Sequence, residues 1–158
     1  MAERLPLVVV LDRVRSAYNV GAFFRNADGA GVSKLLLTGY TGYPPHPGIS
    51  KTALGAENQI EWEHARDPLP AIRKLKALGY QLAAIETSAH AEDLYEWNPT
   101  FPLAVIFGNE VDGTKAELAD ECDSLVRIPM LGMKQSLNVA VAGGVVLYEL
   151  LRKYRNSR

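Results

Sequence analysis

Most of the residues whose types could do chemistry fall in three clusters: NVGAFFRNADGAGV (Asn19 to Val32), VIFGNEVDG (Val105 to Gly113) and RIPMLGMKQSLNVAVA (Arg127 to Ala142). The second and third each follow a short β-branched run and then turn at glycine or proline, which opens backbone and small polar groups to a ligand. Gly108, Asn109, Ile128, Met130 and Leu137 are where backbone contacts to such a ligand would fall, since small-residue turns permit close approach. Neither turn is a GxGxxG or GxxxxGK(S/T) loop, so a different cofactor geometry is required. Serine-nucleophile chemistry is a poor alternative, because no histidine lies in any cluster and there is no GxSxG elbow. His46, His64 and His90 also lack metal-ligand spacing, and no metal is expected.

The elements that must position these clusters are legible as short apolar runs at Leu7 to Leu11, Lys34 to Leu37, Gln81 to Ile85, Leu103 to Phe107 and Leu125 to Ile128, with helical patterns between them. That alternation predicts an α/β fold whose sheet is mostly parallel, flanked by helices and buried on both faces. Asn19 to Ala30 spaces Val20, Phe23, Phe24 and Ala27 helically, with Gly29 and Gly31 to end it and Arg25 pointing from its first half. Asp67 to Gly79 predicts a helix capped by Asp67, opened by Pro68 and stopped by Gly79. Thr114 to Glu117 reads as a capping box. A last helix from about Leu137 to Tyr154 carries Leu137, Val141, Val145, Tyr148 and Leu151 along one side, and Ser136 is a plausible N-cap. Gly143 and Gly144 within it cost up to ~1 kcal/mol each relative to alanine, which close packing would offset. Thr38 to Ser50, rich in Gly, Pro and Tyr, predicts an irregular loop above the strand ends.

With 158 residues, 47% of them hydrophobic and 22% charged, the chain is the size of one domain and has the means to bury a core. The formal net charge of -1 argues against coating a polyanion or a membrane by bulk electrostatics. Residues 1 to 79 carry ten Lys and Arg against seven Asp and Glu, and the remainder seven against eleven. The N-terminal half is thus the side better suited to meet a polyanion. The single Cys122 excludes an internal disulfide and suits a reducing cytoplasm. MAERLPLVVVLD is too short an apolar run for a signal peptide, and no stretch approaches ~20 apolar residues.

Taken in order and in their strand-turn context, the three clusters resemble the three motifs of the SpoU class of SPOUT RNA ribose methyltransferases. The resemblance runs from about Val9 to Leu150 and takes in KTALGAE (Lys51 to Glu57), similar to a segment of the tRNA guanosine-2′-O-methyltransferase branch. It implies a single SPOUT domain over 1–158 without an appended RNA-binding domain, a C-terminal segment threaded as a trefoil knot, bound S-adenosylmethionine, a tRNA or rRNA substrate gripped across a homodimer, and a cytoplasmic location. Nothing in periodicity points to a knot, and base rates run against threaded chains. Val111 and Asp112 depart from the pattern, standing where many relatives carry smaller or different residues.

Methyl transfer to a ribose hydroxyl needs a held donor, an oriented hydroxyl and a route for its proton. The resemblance assigns the donor to Gly108, Asn109, Ile128, Met130, Ser136 and Leu137, with Glu86 and Thr87 after the Ile85 strand. It assigns catalysis to Arg25, Asn19, Glu110, Ser136 and Asn138. An arginine pKa above ~12 makes Arg25 a poor proton acceptor, so clamping the phosphate beside the target ribose is the expected role, otherwise that of a surface arginine. Asn19 reads as an N-cap or as a partner orienting Arg25 or RNA. Glu110 either orients Arg25 or stabilises loop amides. Arg13 and Arg15 track phosphates beside Arg25 or are solvated loop charges, and Tyr40 and Tyr43 stack on bases or pin their loop. A noncatalytic RNA-binding protein of the same fold and a base-methylating SPOUT enzyme are the competing readings.

Overall fold

Runs such as Leu7 to Leu11, apolar at every position, have no solvent face to offer and must lie inside a sheet covered on both sides. The computed structural model describes residues 3–158 and bears this out. Its elements are β1 (Leu5–Asp12), α1 (Ala17–Ala30), β2 (Val32–Thr38), α2 (Pro47–Ala53), β3 (Glu61–Ala65), α3 (Pro68–Ala77), β4 (Gln81–Ile85), β5 (Glu92–Asp93), β6 (Leu103–Phe107), α4 (Ala116–Ala119), β7 (Ser124–Arg127) and α5 (Val139–Asn156). The seven strands are ordered β3-β2-β1-β6-β4-β7-β5, and every pairing is parallel. One face packs Val9, Leu11 and Phe107 against Phe23, Phe24 and Leu147 of α1 and α5. The other packs Val8, Val10 and Ile106 against Ile72 and Leu118 of α3 and α4.

Two strands carry too little apolar signal to be read from sequence. β3 is an edge strand with Glu61, Glu63 and His64 exposed, and its carboxylates meet Lys34 of β2, Glu63 at 2.6 Å. Charges on an edge blunt it against further pairing, and they also hide the alternation. β5 spans only two residues. The stretch expected to be a loop up to Ser50 turns helical at Pro47, where the His46 ring nitrogen caps α2 by accepting from the Gly48 amide.

Helix starts differ from expectation for local reasons. α1 is capped by Ser16, whose hydroxyl accepts from the Asn19 amide, so Asn19 is not the cap and its side chain is free for other partners. Gly31, at φ +78°, closes α1, while Gly29 stays inside it and Arg25 falls in the second half. The Thr114 to Glu117 capping box does not form: α4 starts after Lys115 with no side-chain cap, and the Thr114 hydroxyl is buried without a partner among the described residues. α5 is capped by Asn138 rather than Ser136, its Oδ1 accepting from the Ala140 and Val141 amides at 2.9 and 3.2 Å.

The face that α5 buries most deeply is rotated from the expected stripe, of which Leu137, Val145 and Leu151 still pack against the core while Val141 and Tyr148 do not. Ala140, Ala142, Gly143, Val146, Leu147 and Leu150 point inward, whereas Val141 and Tyr148 are 53% and 50% exposed. Gly143 explains the choice: a Cβ there would lie 2.4 Å from the Phe23 ring. The small residues let α5 lie close on α1, and this contact outweighs the hydrophobic area left outside. No helix among the described residues is long and apolar enough to cross a membrane.

Candidate active site

In parallel sheets the carboxyl ends of the strands and the loops beyond them form the natural crevice. Here the ends of β4, β6 and β7 and the approach to α5 enclose a cavity of about 240 Å³. Its walls include Glu86 and Thr87 after β4, Gly108 and Asn109 after β6, and Ile128, Met130, Ser136 and Leu137 between β7 and α5. All eight positions assigned from sequence to the donor thus meet at one place, joined by Glu110 and Asn138. The Met130 and Leu137 amides donate to no acceptor among the described residues, nor does the Ser136 hydroxyl. Gln135, Val139 and Ala142 also line the cavity; they lie within or beside the third cluster but have no distinctive type to single them out.

The β6 turn is built backbone first. The amides and carbonyls of Asn109 and Gly113 pair with each other at 3.1 and 2.9 Å. This brings Gly113 so near Gly108 that a Cβ on Gly108 would lie 2.3 Å from the Gly113 carbonyl carbon. Asn109, 7% exposed, accepts from the Val111 and Asp112 amides through Oδ1. Its Nδ2 donates to the Arg13 carbonyl at 2.9 Å and the Tyr40 hydroxyl at 2.8 Å. The asparagine therefore locks the turn to the β1–α1 loop.

Glu110 does the same from the other side. Its carboxylate accepts from the Arg15 and Ser16 amides at 2.9 and 3.1 Å and from Asn19 Nδ2 at 3.1 Å. Partial burial pushes its pKa up, but hydrogen bonds from the Arg15 amide, its own amide, the Ser16 amide and Asn19 together outweigh this and leave it lowered. Within the chain its partners are loop amides and Asn19, and Arg25 is not among them. Asn138 Nδ2 in turn donates to Asn19 Oδ1 at 3.4 Å. Glu110, Asn19 and Asn138 thus form one polar chain joining all three clusters.

The arginines separate. Arg13 is a correction: its guanidinium is committed to buried Asp12 at 3.0 Å and to the Gly113 carbonyl at 2.7 Å, with 13% of the side chain exposed. It holds loops together, which leaves little of it to meet a phosphate. Arg15 is exposed and its guanidinium has no partner among the described residues. Arg25 is exposed and lines a different hollow with Ala22, Asn26, Lys51, Thr52 and Tyr148. Tyr43 is pinned against His64 and Trp62, ring centroids 4.3 and 5.9 Å away. Among the described residues no three His, Cys, Asp or Glu gather to hold a metal. Burial pushes the Cys122 thiol up to about 12, which keeps it from acting as a thiolate.

The model of the SpoU rRNA Methylase family matches residues 6–148. The chain belongs to the SpoU rRNA methylase family. A SpoU relative from Vibrio parahaemolyticus, the 23S rRNA (guanosine-2′-O-)-methyltransferase RlmB, is 36% identical over 94% of this chain. The match covers 60% of that relative, so the chain spans less than two thirds of the length of the curated relatives it resembles. Among solved structures, the A. aeolicus TrmH/SpoU tRNA modifying enzyme superposes with a TM-score of 0.89 at 30% identity, covering 98% of this chain and 79% of that one. The AdoMet-bound rRNA methyltransferase of Sinorhizobium meliloti superposes with a TM-score of 0.86 at 35% identity, covering 92% and 56%. The parallel α/β architecture is thereby that of the SpoU methylases.

Proposed function

We propose that this chain transfers a methyl group from S-adenosylmethionine to a ribose 2′-hydroxyl of structured tRNA or rRNA. The observation that carries the reading is the convergence of Glu86, Thr87, Gly108, Asn109, Ile128, Met130, Ser136 and Leu137 on one cavity, in a family whose S. meliloti member is AdoMet-bound. The donor set fits such a group: free amides at Met130 and Leu137 suit the edge of an adenine, and the Glu86 carboxylate suits ribose hydroxyls. S-adenosylmethionine, when bound, supplies a methyl group on a sulfonium, so no metal or covalent enzyme intermediate is called for. The ribose assignment is supported by the Vibrio relative, whose name specifies guanosine-2′-O.

The chain's own residues then have distinct tasks. Glu110, Asn19 and Asn138 hold the three loops in register, which keeps the donor walls and the N-terminus of α5 fixed. Ser136, with its hydroxyl free, faces the reacting centre. Arg25 clamps the phosphate beside the target ribose and stabilises charge in the transition state. Since Arg25 lines another hollow than the donor cavity, we take it to serve the cavity of a second copy. Tyr18, Ala22, Arg25 and Gly29 recur at helical spacing on α1 beside exposed Val141 and Tyr148 of α5, a face suited to a homodimer. We further take residues 1–158 to work as one catalytic domain, with its C-terminal segment threaded as a trefoil knot, acting on RNA in the cytoplasm.

The test is nucleoside mass spectrometry on unmodified bulk tRNA and rRNA after incubation with isotopically labelled S-adenosylmethionine. A labelled 2′-O-methylnucleoside is the expected product. A labelled base-methylated nucleoside would overturn the ribose assignment, and no label with folded protein would favour a noncatalytic RNA-binding role.

A further inference from the structure

Beside the donor cavity, and sharing Asn109 and Val111 with it, lies an open hollow of about 500 Å³ lined by Arg15, Tyr40, Asn109, Val111 and Asp112. Its polar groups are held at the backbone and left free at their tips. The Asp112 amide is tied to Asn109 Oδ1 at 2.9 Å, yet its carboxylate has no hydrogen bond or ion pair among the described residues. The Arg15 amide is tied to Glu110, yet its guanidinium is likewise free. Tyr40 is fixed at its hydroxyl by Asn109 Nδ2 while its ring stays 59% exposed. Tyr43, 47% exposed, differs in that its ring already lies against His64 and Trp62, whereas the Tyr40 ring has no aromatic neighbour among the described residues.

Resting on the proposed methyl transfer to RNA, we infer that this hollow seats the base of the target nucleotide and selects guanine. A fixed, exposed aromatic ring is a stacking platform for an unstacked base, whatever its identity. Identity is then read at the edge, and here the reader is a carboxylate, which only accepts hydrogen bonds. Guanine alone offers two adjacent donors, N1–H and the N2 amino group, to a carboxylate's two oxygens; adenine, cytosine and uracil each place an acceptor next to their donor. Arg15 supplies the positive charge for the adjoining phosphate and offsets the charge of Asp112. Asn109 braces both sites: the same side chain that shapes the wall of the donor cavity also orients Tyr40, so base and donor are placed by one residue.

The experiment uses the full chain and two fluorescently labelled single-stranded RNA pentamers, UUGUU and UUAUU, followed by anisotropy at fixed low salt. Wild type is expected to favour the guanosine pentamer by about tenfold or more. Asp112→Asn, which presents a donor where an acceptor stood, is expected to remove the preference, and Tyr40→Ala to weaken both pentamers alike. No preference in wild type, or one that survives Asp112→Asn, would overturn the inference. Labelled S-adenosylmethionine transfer to bulk RNA is measured in parallel. Loss of 2′-O-methylguanosine in Asp112→Asn with unchanged calorimetric affinity for S-adenosylmethionine supports the hollow, and a 2′-O-methylated product other than guanosine contradicts it. Absence of any transfer in wild type alongside a clear pentamer preference would refute the methyltransferase reading and leave the base-reading hollow standing.

Discussion

The donor cavity and the hollow around Arg25 are built to different standards of completion. Four chain segments meet at the cavity, and its loops are cross-tied by Asn109, Glu110, Asn19 and Asn138. Around Arg25 the guanidinium is free and exposed, and apolar Tyr148 beside it is half exposed. A ligand site that must be pre-organised is finished within one chain, since floppy walls would cost affinity. The hollow around Arg25, which the proposed function gives to the RNA, is left open. Under the proposed function, one protomer would carry a whole donor site and half of an acceptor site.

The comparison is broken most forcefully at Arg25. Arg25→Ala is expected to lower the single-turnover rate by about a hundredfold or more, while calorimetric affinity for S-adenosylmethionine stays within about twofold of wild type. Equal loss of both would end the separation of the two halves. Next come two of the tight glycines, Gly108 and Gly143, whose added Cβ atoms would lie 2.3 and 2.4 Å from neighbouring atoms. Gly108→Ala and Gly143→Ala should each cost on the order of 1–3 kcal/mol by overpacking, measured by urea unfolding. Only Gly108→Ala should also weaken donor binding, because Gly143 meets Phe23 rather than the cavity; a matching loss in both would show that the halves are coupled.

A smaller effect is expected at the α5 cap, where Asn138→Ala removes the acceptor for two amides and should cost about 1 kcal/mol. Glu110 gives the smallest and most conditional effect. Its carboxyl is held below the ordinary carboxylate range by loop amides and Asn19, so its stabilisation is fully present above the unfolded pKa and is lost as pH falls through the folded one. Thermal melts of wild type and Glu110→Gln should therefore differ at neutral pH and converge in acid. A difference that grows in acid would contradict the hydrogen-bonded carboxylate.

The five interior strands were legible because each has a short apolar or β-branched run, and the donor cavity because its residues fall in motifs that resemble those of the SpoU class. What escaped reading did so for physical reasons. β3 carries edge charges in place of alternation, and the close contact of Gly143 with Phe23 helps to rotate α5 away from the stripe that includes Val141 and Tyr148. Ser16 and Asn138, not Asn19 and Ser136, cap their helices, since several adjacent residues in each segment have capping chemistry and only tertiary contacts decide among them. Arg13 and Arg15 look equivalent in sequence, yet buried Asp12 claims one of them. Whether an arginine faces its own cavity or a partner's has no local signature at all.

The most direct test of that last point is subunit mixing. Arg25→Ala lacks the phosphate clamp and Ser136→Trp fills the donor cavity, so each variant alone should be inactive. Mixed in equal amounts and allowed to exchange, half of the dimers are mixed and each has one intact composite site, so about a quarter of wild-type transfer should return. If mixed dimers form and no activity returns, Arg25 acts on the cavity of its own chain and the division into a complete donor site and half an acceptor site is wrong.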